Sequence, residues 1–220
     1  LYYYIILVHM ENLPKKIPVF PLSNFIIFPK TTVPLNIFEP RYVDMINDSM
    51  KTNKYIGIIQ PSVSKRRKSD TEHVGCLGKI STYVENDDGT LIVKLTGICR
   101  FNIIEEMENK ASYREMKVTY HAFNDDLLLD DNTDTIDREK LLNVISDYLN
   151  VNDLTTDWSV ITDTDTEILI NAFAMLSPFT AKEKQALLEA TNIENRSEIL
   201  IALSEISIAS RNNKKSNFIQ

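Results

Sequence analysis

Runs of apolar residues of strand length recur through the first half of the chain, over 16–22, 32–38, 55–60, 74–84, 90–105 and 113–123. They are rich in β-branched and aromatic residues and are separated by Gly, Pro, Asn and Asp, the pattern of strands joined by turns. Asp88-Gly89 stands between two of them and predicts a hairpin. One helix interrupts the strands. Over 39–50, Tyr42, Met45, Ile46 and Met50 fall at helical spacing, and Pro40 sits in the first turn, where a missing N–H costs nothing.

The period changes after residue 123. The Asp- and Thr-rich stretch 124–137 reads as a connection whose only apolar run is Leu127 to Leu129. Beyond it, Ile136, Leu141, Ile145, Tyr148 and Leu149 share one helical face. Three capping-box patterns follow: Thr164 with Glu167, Thr180 with Glu183, and Asn195 with Glu198. They predict helices starting near Asp165, Ala181 and Arg196, the first two separated by Ser177-Pro178. The expected organisation is a β subdomain with one helix over 13–122, an acidic linker over 123–136 and a helical subdomain over 137–211. Residues 1–12 and 212–220 are expected to be disordered tails, with Met10 the biological start.

Composition narrows the class. With 43% hydrophobic and 25% charged residues, the 220-residue chain has an ordinary globular make-up and can bury its own core. Two cysteines make no disulfide framework, and Cys76 and Cys99 are expected to be reduced, buried and inert. Leu1 to Val8 is apolar but too short to span a bilayer and lacks the basic start of an export signal, so the expected location is the cytoplasm. Charge divides along the same line as periodicity: 13–122 carries a net +4, whereas 123–220 carries −10. The one basic cluster is Lys65-Arg66-Arg67-Lys68, a candidate loop for an anionic partner. The chain as a whole is acidic, with pI ≈ 5.1, and no aromatics interleave the cluster.

Chemistry-bearing motifs are absent from the sequence. None of the five glycines opens a G-x-x-x-x-G-K-[ST] phosphate loop. His9, His73 and His121 have no recognisable nucleophile partner. The acidic stretch 125–137 lacks the glycine-centred calcium loop, so it reads as solvated linker. No cofactor, metal site or catalytic residue is expected.

Several stretches resemble one family. Ile17-Pro18-Val19-Phe20-Pro21-Leu22, Ile27-Phe28-Pro29 and Val33 through Tyr42 look like the opening of Lon-type N-terminal domains. Gly75-Cys76-Leu77-Gly78-Lys79-Ile80 is similar to the family's "VGT-A-I" strand. Asp88-Gly89-Thr90 and Thr96-Gly97-Ile98-Cys99-Arg100-Phe101 match its next hairpin and its G-x-x-R-F signature. Leu176 through Glu189 resembles its "P-x-x-x-x-E-K-Q-x-L-L-E" helix pair. The likeness runs from Pro18 to about Ile208, with two departures: Asn24, where an acidic residue or glycine is common, and the basic loop at Lys65 to Lys68.

This resemblance implies an α+β fold, a PUA-like β pseudo-barrel followed by an α-helical bundle. It implies a non-catalytic polypeptide-binding module for exposed or unfolded segments of client proteins, by edge-strand pairing or by apolar docking between barrel and bundle. The ATPase and the Ser-Lys protease of full Lon proteins are not expected here. Unfolded or partly folded proteins are the expected partners, with a separate protease or chaperone as a further one, and neither nucleic acid nor a membrane is expected. The rival readings are a PUA-like RNA-binding protein using Lys65 to Lys68, and an adaptor for a separate protease.

Most of the opening signature suits architecture. Pro18, Pro21, Pro29 and Pro34 fit strand ends and irregular crossings, and Phe20, Phe28, Leu35, Ile37 and Phe38 would fill a small barrel. Gly97 within a long apolar run predicts a bulge or a close backbone approach. Phe38, Glu39, Arg41 and Tyr42 are the candidate polypeptide-binding residues, although Glu39 and Arg41 can equally form a local ion pair.

Overall fold

A computed structural model of the chain describes residues 12–62, 71–128 and 133–217. Six strands are present among them: β1 (Lys16–Pro21), β2 (Thr32–Ile37), β3 (Tyr55–Ile59), β4 (Val74–Glu85), β5 (Leu91–Met107) and β6 (Arg114–Thr119). The helices are α1 (Pro40–Lys51), a 3-10 turn (His121–Leu127), α2 (Arg138–Val151), α3 (Trp158–Asp163), α4 (Thr166–Leu176), α5 (Ala181–Glu189) and α6 (Ile193–Asn217). The class is α+β. By packing, residues 12–128 with Pro178–Glu189 form one unit, and residues 133–177 with 190–217 form a second.

The strands form a sheet in the order β2-β5-β4-β3-β1-β6, and β5 also pairs with β6, which closes the sheet on itself. A strand of 17 residues can serve both ends only by bending, and extra residues supply the bend. The β4–β5 register shifts between Leu77 and Gly78 and again between Ile80 and Thr82, and the β5–β6 register shifts between Ile103 and Glu105. At the first shift Leu77 pairs with Cys99 and Gly78 with Gly97, so Ile98 is the bulged residue. Along β5 the buried positions alternate through Leu91, Val93 and Leu95, then become consecutive at Cys99, Arg100 and Phe101 beyond the bulge.

Gly97 carries the bulge for a second reason. A Cβ there would lie 2.0 Å from the Phe28 carbonyl oxygen. The chain from Phe28 to Thr31 turns directly over it: Gly97 N–H donates to Thr31 O at 2.8 Å, and Lys30 N–H donates to Gly97 O at 3.0 Å. The turn holds Lys30 at φ 64, and Asn24 just upstream sits at φ 57. Asparagine tolerates this left-handed region better than most side chains, which explains a departure from the family pattern that keeps the backbone's shape. The Asp88-Gly89 hairpin forms as expected, with Gly89 at φ 79 in a loop closed by the Asn86 N–H donating to Thr90 O.

The core of this unit holds Ile17, Val19, Phe20, Phe28, Ile37, Ile56, Ile58, Leu77, Leu95 and Phe101, all buried. Two expected core residues depart from this. Leu35 is half-buried, and Phe38 is 67% exposed, because β2 ends at Ile37 and the next residues turn into α1. In that helix Tyr42, Met45 and Ile46 are buried as their spacing predicts. Pro34 lies mid-strand in β2, which is tolerable because β2 is an edge of the sheet.

The stretch expected to be strand to residue 123 and solvated linker from 124 is built differently. β6 ends at Thr119, and the 3-10 turn that follows presents Asp126 to Arg100. Arg100 Nε donates to Asp126 Oδ2 at 2.9 Å and Nη2 to Oδ1 at 2.8 Å, while the Arg100 backbone N–H donates to Oδ2 at 2.8 Å. The two side chains are only 2% and 7% exposed. The guanidinium also lies 4.3 Å from the Phe123 ring centroid, and its Nη1 donates to Leu188 O on α5 at 3.0 Å.

α5 belongs with the strands although it is flanked in sequence by helices of the other unit. Its capping box forms as expected: Thr180 N–H donates to Glu183 Oε2 at 2.7 Å, and Glu183 N–H to Thr180 Oγ1 at 3.4 Å. Gln185 Nε2 donates to Val74 O at 3.1 Å and to Glu189 Oε1 at 2.8 Å, while its Oε1 accepts from Gln60 Nε2 at 3.0 Å. Leu187 and Leu188 are buried. Burial lowers the pKa of Lys184, whose Nζ donates to Asn24 O at 3.4 Å.

In the other unit α2 packs on α6, as α4 does. Asp137 caps α2 by accepting from Lys140 N–H, and Leu141, Ile145 and Tyr148 are buried, as their spacing predicts, while Leu149 is half-buried. Two caps differ from expectation. α4 is capped by Asp165, which accepts from the Glu167 and Ile168 N–H groups, and not by Thr164. α6 starts at Ile193, where Asn192 Oδ1 accepts from Asn195 N–H at 2.8 Å. In both cases a carboxylate or amide lying closer to the chain reversal takes the orphan donors first. α6 runs through Asn217, past the expected end at 211.

Three outcomes test this account. Gly97→Ala should destabilise by about 3 kcal/mol, the upper end of overpacking costs, whereas Gly89→Ala, which meets open space, should cost about 1 kcal/mol from its left-handed φ. Chemical denaturation measures both, and equal losses would refute the backbone-approach argument. Asp126→Ala should cost about 3–5 kcal/mol by leaving a buried guanidinium without its carboxylate, and Arg100→Met combined with Asp126→Leu should recover much of that loss. Cys76 and Cys99 are buried, and burial pushes the Cys99 thiol far above its ordinary pKa, so neither should react with a bulky thiol reagent until the protein is denatured.

Candidate functional site

The residues expected to contact a polypeptide occupy the corner where β2 passes into α1, and they divide by exposure. Phe38 projects from the corner with two-thirds of its surface open. Glu39 caps nothing with its side chain; its Oε2 accepts from Arg41 Nη2 at 2.8 Å and from Nε at 3.1 Å, with both side chains about half exposed. Such a surface pair contributes under about 1 kcal/mol. It orients Arg41, whose guanidinium lies 4.6 Å from the Tyr42 ring centroid.

Tyr42 itself is buried, its ring centroid 4.1 Å from that of Phe20. Burial raises its pKa, outweighing the opposing effect of Arg41. It is a core residue and offers a partner almost nothing. The basic loop, Lys65, Arg66, Arg67 and Lys68, lies outside the described residues.

Sequence reasoning missed the apolar neighbours of Phe38. In the sheet register Asn36 pairs with Ile92, and Ile92 in turn with Val84, so these three side chains share one face. Ile92 and Val84 are 43% and 48% exposed, and Phe38 follows Asn36 by two residues. Ile92 and Val84 are thus exposed apolar neighbours on the outer face of β5 and β4, and Phe38 is exposed just past the end of β2. The alternation of β5, in which Ile92 and Lys94 point away from Leu91, Val93 and Leu95, is the signal that could have found it. A second apolar surface, in the helical unit, is a groove of about 280 Å³ between α2 and α4 bordered by the chain around α3.

His73 and His121 are exposed. Among the described residues no group of three or more His, Cys, Asp or Glu could hold a metal ion. Among them, too, no helix is long and apolar enough to cross a membrane.

The family model for the ATP-dependent protease La (Lon) substrate-binding domain matches residues 16–204. Lon protease of Flavobacterium johnsoniae is 26% identical over 195 residues, covering 84% of this chain and 23% of that protein. Lon protease of Buchnera aphidicola subsp. Acyrthosiphon pisum is 28% identical over 198 residues, covering 87% and 25%. The chain thus spans about a quarter of the length of these relatives. Among solved structures, a Lon N-terminal domain protein from Xanthomonas campestris superimposes with a TM-score of 0.62 at 20% identity, covering 86% of this chain and 98% of that one. The N-terminal domain of a Mycobacterium avium complex Lon protease gives 0.64 at 19% identity, covering 87% and 98%. With the family model matched along most of its length and the fold shared with Lon N-terminal domains, the chain belongs to the Lon substrate-binding domain family.

Proposed function

We propose that this protein is a non-catalytic module that binds exposed or unfolded polypeptide segments of client proteins, docking their apolar side chains on the strip of Phe38, Ile92 and Val84. The observation that carries the reading is Phe38: a large aromatic left 67% exposed beside two further exposed apolar residues on one sheet face. Grouped exposed apolar side chains mark interaction surfaces, whereas single ones need no explanation. An aromatic anchor with polar neighbours such as Glu39 and Arg41 is the usual make-up of a peptide-contacting patch.

Apolar docking is favoured here over strand addition. β2 has a free outer edge, but Pro34 at its centre removes one backbone donor, and proline on an edge strand discourages pairing with a further chain. Separate protease or chaperone partners belong to the same proposal, since a bound client has to be passed on.

The test compares a permanently unfolded client of low net charge with its folded form. The protein should retain the first and release the second, with little change between about 50 and about 200 mM salt. Phe38→Ser should weaken retention about tenfold, the loss of one buried aromatic contact. Neutralising Lys65, Arg66, Arg67 and Lys68 together should leave it intact. RNA binding that vanishes in the neutralised variant, with no preference for unfolded protein, would replace this reading with a nucleic-acid one.

A further inference from the structure

The groove in the helical unit differs from the Phe38 strip in both shape and charge. Ile145 and Tyr148 of α2 and Phe173 of α4 form its floor, with the Tyr148 and Phe173 rings edge to face at 5.2 Å. Leu154, Val160 and Leu176 border it and are 47%, 59% and 83% exposed. α3, which carries Val160, buries no residue of its own. The lip is therefore apolar surface that the fold leaves uncovered.

Charge around this groove is predominantly negative. From residue 141 to residue 181 the chain has six carboxylates and no lysine or arginine. Asp147, Asp153, Asp157, Asp163 and Asp165 are exposed and adjoin residues that line the groove or its lip. Asp157 and Asp165 are engaged as helix caps, while Asp147, Asp153 and Asp163 cap no helix. The nearby cation is Arg138, whose guanidinium donates to the Thr162 and Thr164 carbonyls at 2.8 and 2.6 Å and to Thr166 Oγ1 at 2.6 Å. It bonds backbone and hydroxyl oxygens rather than the aspartates themselves, so one cation stands against five exposed carboxylates.

A third feature points to an occupant with hydrogen-bonding groups. Ser177, at the C-terminal end of α4, lines the groove and is 4% exposed, yet its Oγ has no hydrogen-bond partner. Buried hydroxyls without partners are uncommon and costly. A polypeptide backbone entering the groove brings carbonyls and N–H groups that can satisfy it, which a purely hydrocarbon ligand cannot.

We infer that this groove is a second polypeptide site, selective for segments in which apolar anchors are flanked by lysine or arginine. It rests on the reading of the chain as a polypeptide-binding module and adds to it a distinct site with a distinct sequence preference. Apolar side chains fill the floor, flanking cations meet the aspartate rim, and the peptide backbone pairs with Ser177. Acidic apolar segments are rejected by like charge, so the two surfaces sort clients by the residues beside their anchors.

The probes are two synthetic peptides with the same leucine spacing, one bearing lysines and the other glutamates between the leucines. Emission of Trp158, the only tryptophan in the chain, reports on the groove because it lies on α3. The lysine peptide should shift that emission and bind about tenfold more tightly than the glutamate peptide, with a preference that shrinks between about 50 and about 200 mM salt. Asp147→Asn, Asp153→Asn and Asp163→Asn combined should remove most of the preference and leave stability unchanged, since none of the three caps a helix. Val160→Ser with Leu176→Ser should weaken both peptides. Ser177→Ala should weaken the lysine peptide about threefold to tenfold without lowering stability, the opposite of what loss of a structural hydroxyl would do.

Equal binding of the two peptides overturns the charge selectivity. Lysine-peptide binding that is lost in Phe38→Ser but kept in Val160→Ser with Leu176→Ser overturns the groove while sparing the polypeptide reading. Groove-dependent lysine-peptide binding without any preference for unfolded client leaves the groove standing and removes the proposed function of the Phe38 strip.

Discussion

A charged side chain buried in the barrel wall is the constraint around which the β unit is organised. Arg100 cannot be left there alone, since an unpaired guanidinium away from water costs several kcal/mol. The chain answers with two separate segments: the 3-10 turn, which supplies Asp126 and the Phe123 ring, and α5, which supplies the Leu188 carbonyl. Each is far from residue 100 in sequence. The cation therefore acts as a registry device, because only one arrangement of strand, turn and helix satisfies all of its donors. Gln185 repeats the logic a short distance away, joining Gln60, Val74 and Glu189 through one amide.

These two clusters give the family's signature residues a physical role. The glycine and arginine of G-x-x-R-F are the seat of the Phe28–Thr31 turn and the buried cation, and the E-K-Q stretch of α5 supplies a cap, a buried lysine and the amide hub. The contact residues proposed above, Phe38, Ile92 and Val84, come instead from exposed intervening positions.

Strands and helices were legible in the sequence because their spacing records which face is buried. β1 to β6, α1 and α2 fall within a few residues of the places their periodicity predicts. Three things were not legible. Asp126 looks like one more carboxylate in an acidic stretch, since nothing local distinguishes a residue whose partner lies in a distant strand. Phe38 looks like core because it is a large aromatic closing an apolar run, whereas the alternation of Leu35 and Ile37 inward sets it on the outward side with Asn36. The cap at Asp165 was read one residue early because Thr164 and Asp165 are both good caps, and the choice is made by backbone angles that the sequence does not display. Of the four candidate contact residues, Phe38 is well exposed, Glu39 and Arg41 are occupied with each other, and Tyr42 is inside.

The placement of α5 bears on how the protein is made. Synthesis runs from the amino terminus, so the strands and the 3-10 turn are complete long before residue 188 leaves the ribosome. Until then the Arg100 guanidinium lacks one of its acceptors and the Gln60 amide lacks both of its partners. Between the two moments the whole of α2, α3 and α4 must be translated, and those segments build the other unit. The nascent chain must thus hold an unfinished barrel through the synthesis of a second folding unit, and its final stability arrives with a nine-residue helix. A module proposed to read unfolded chains thus passes through a stage in which it exposes the same kind of unfinished surface itself.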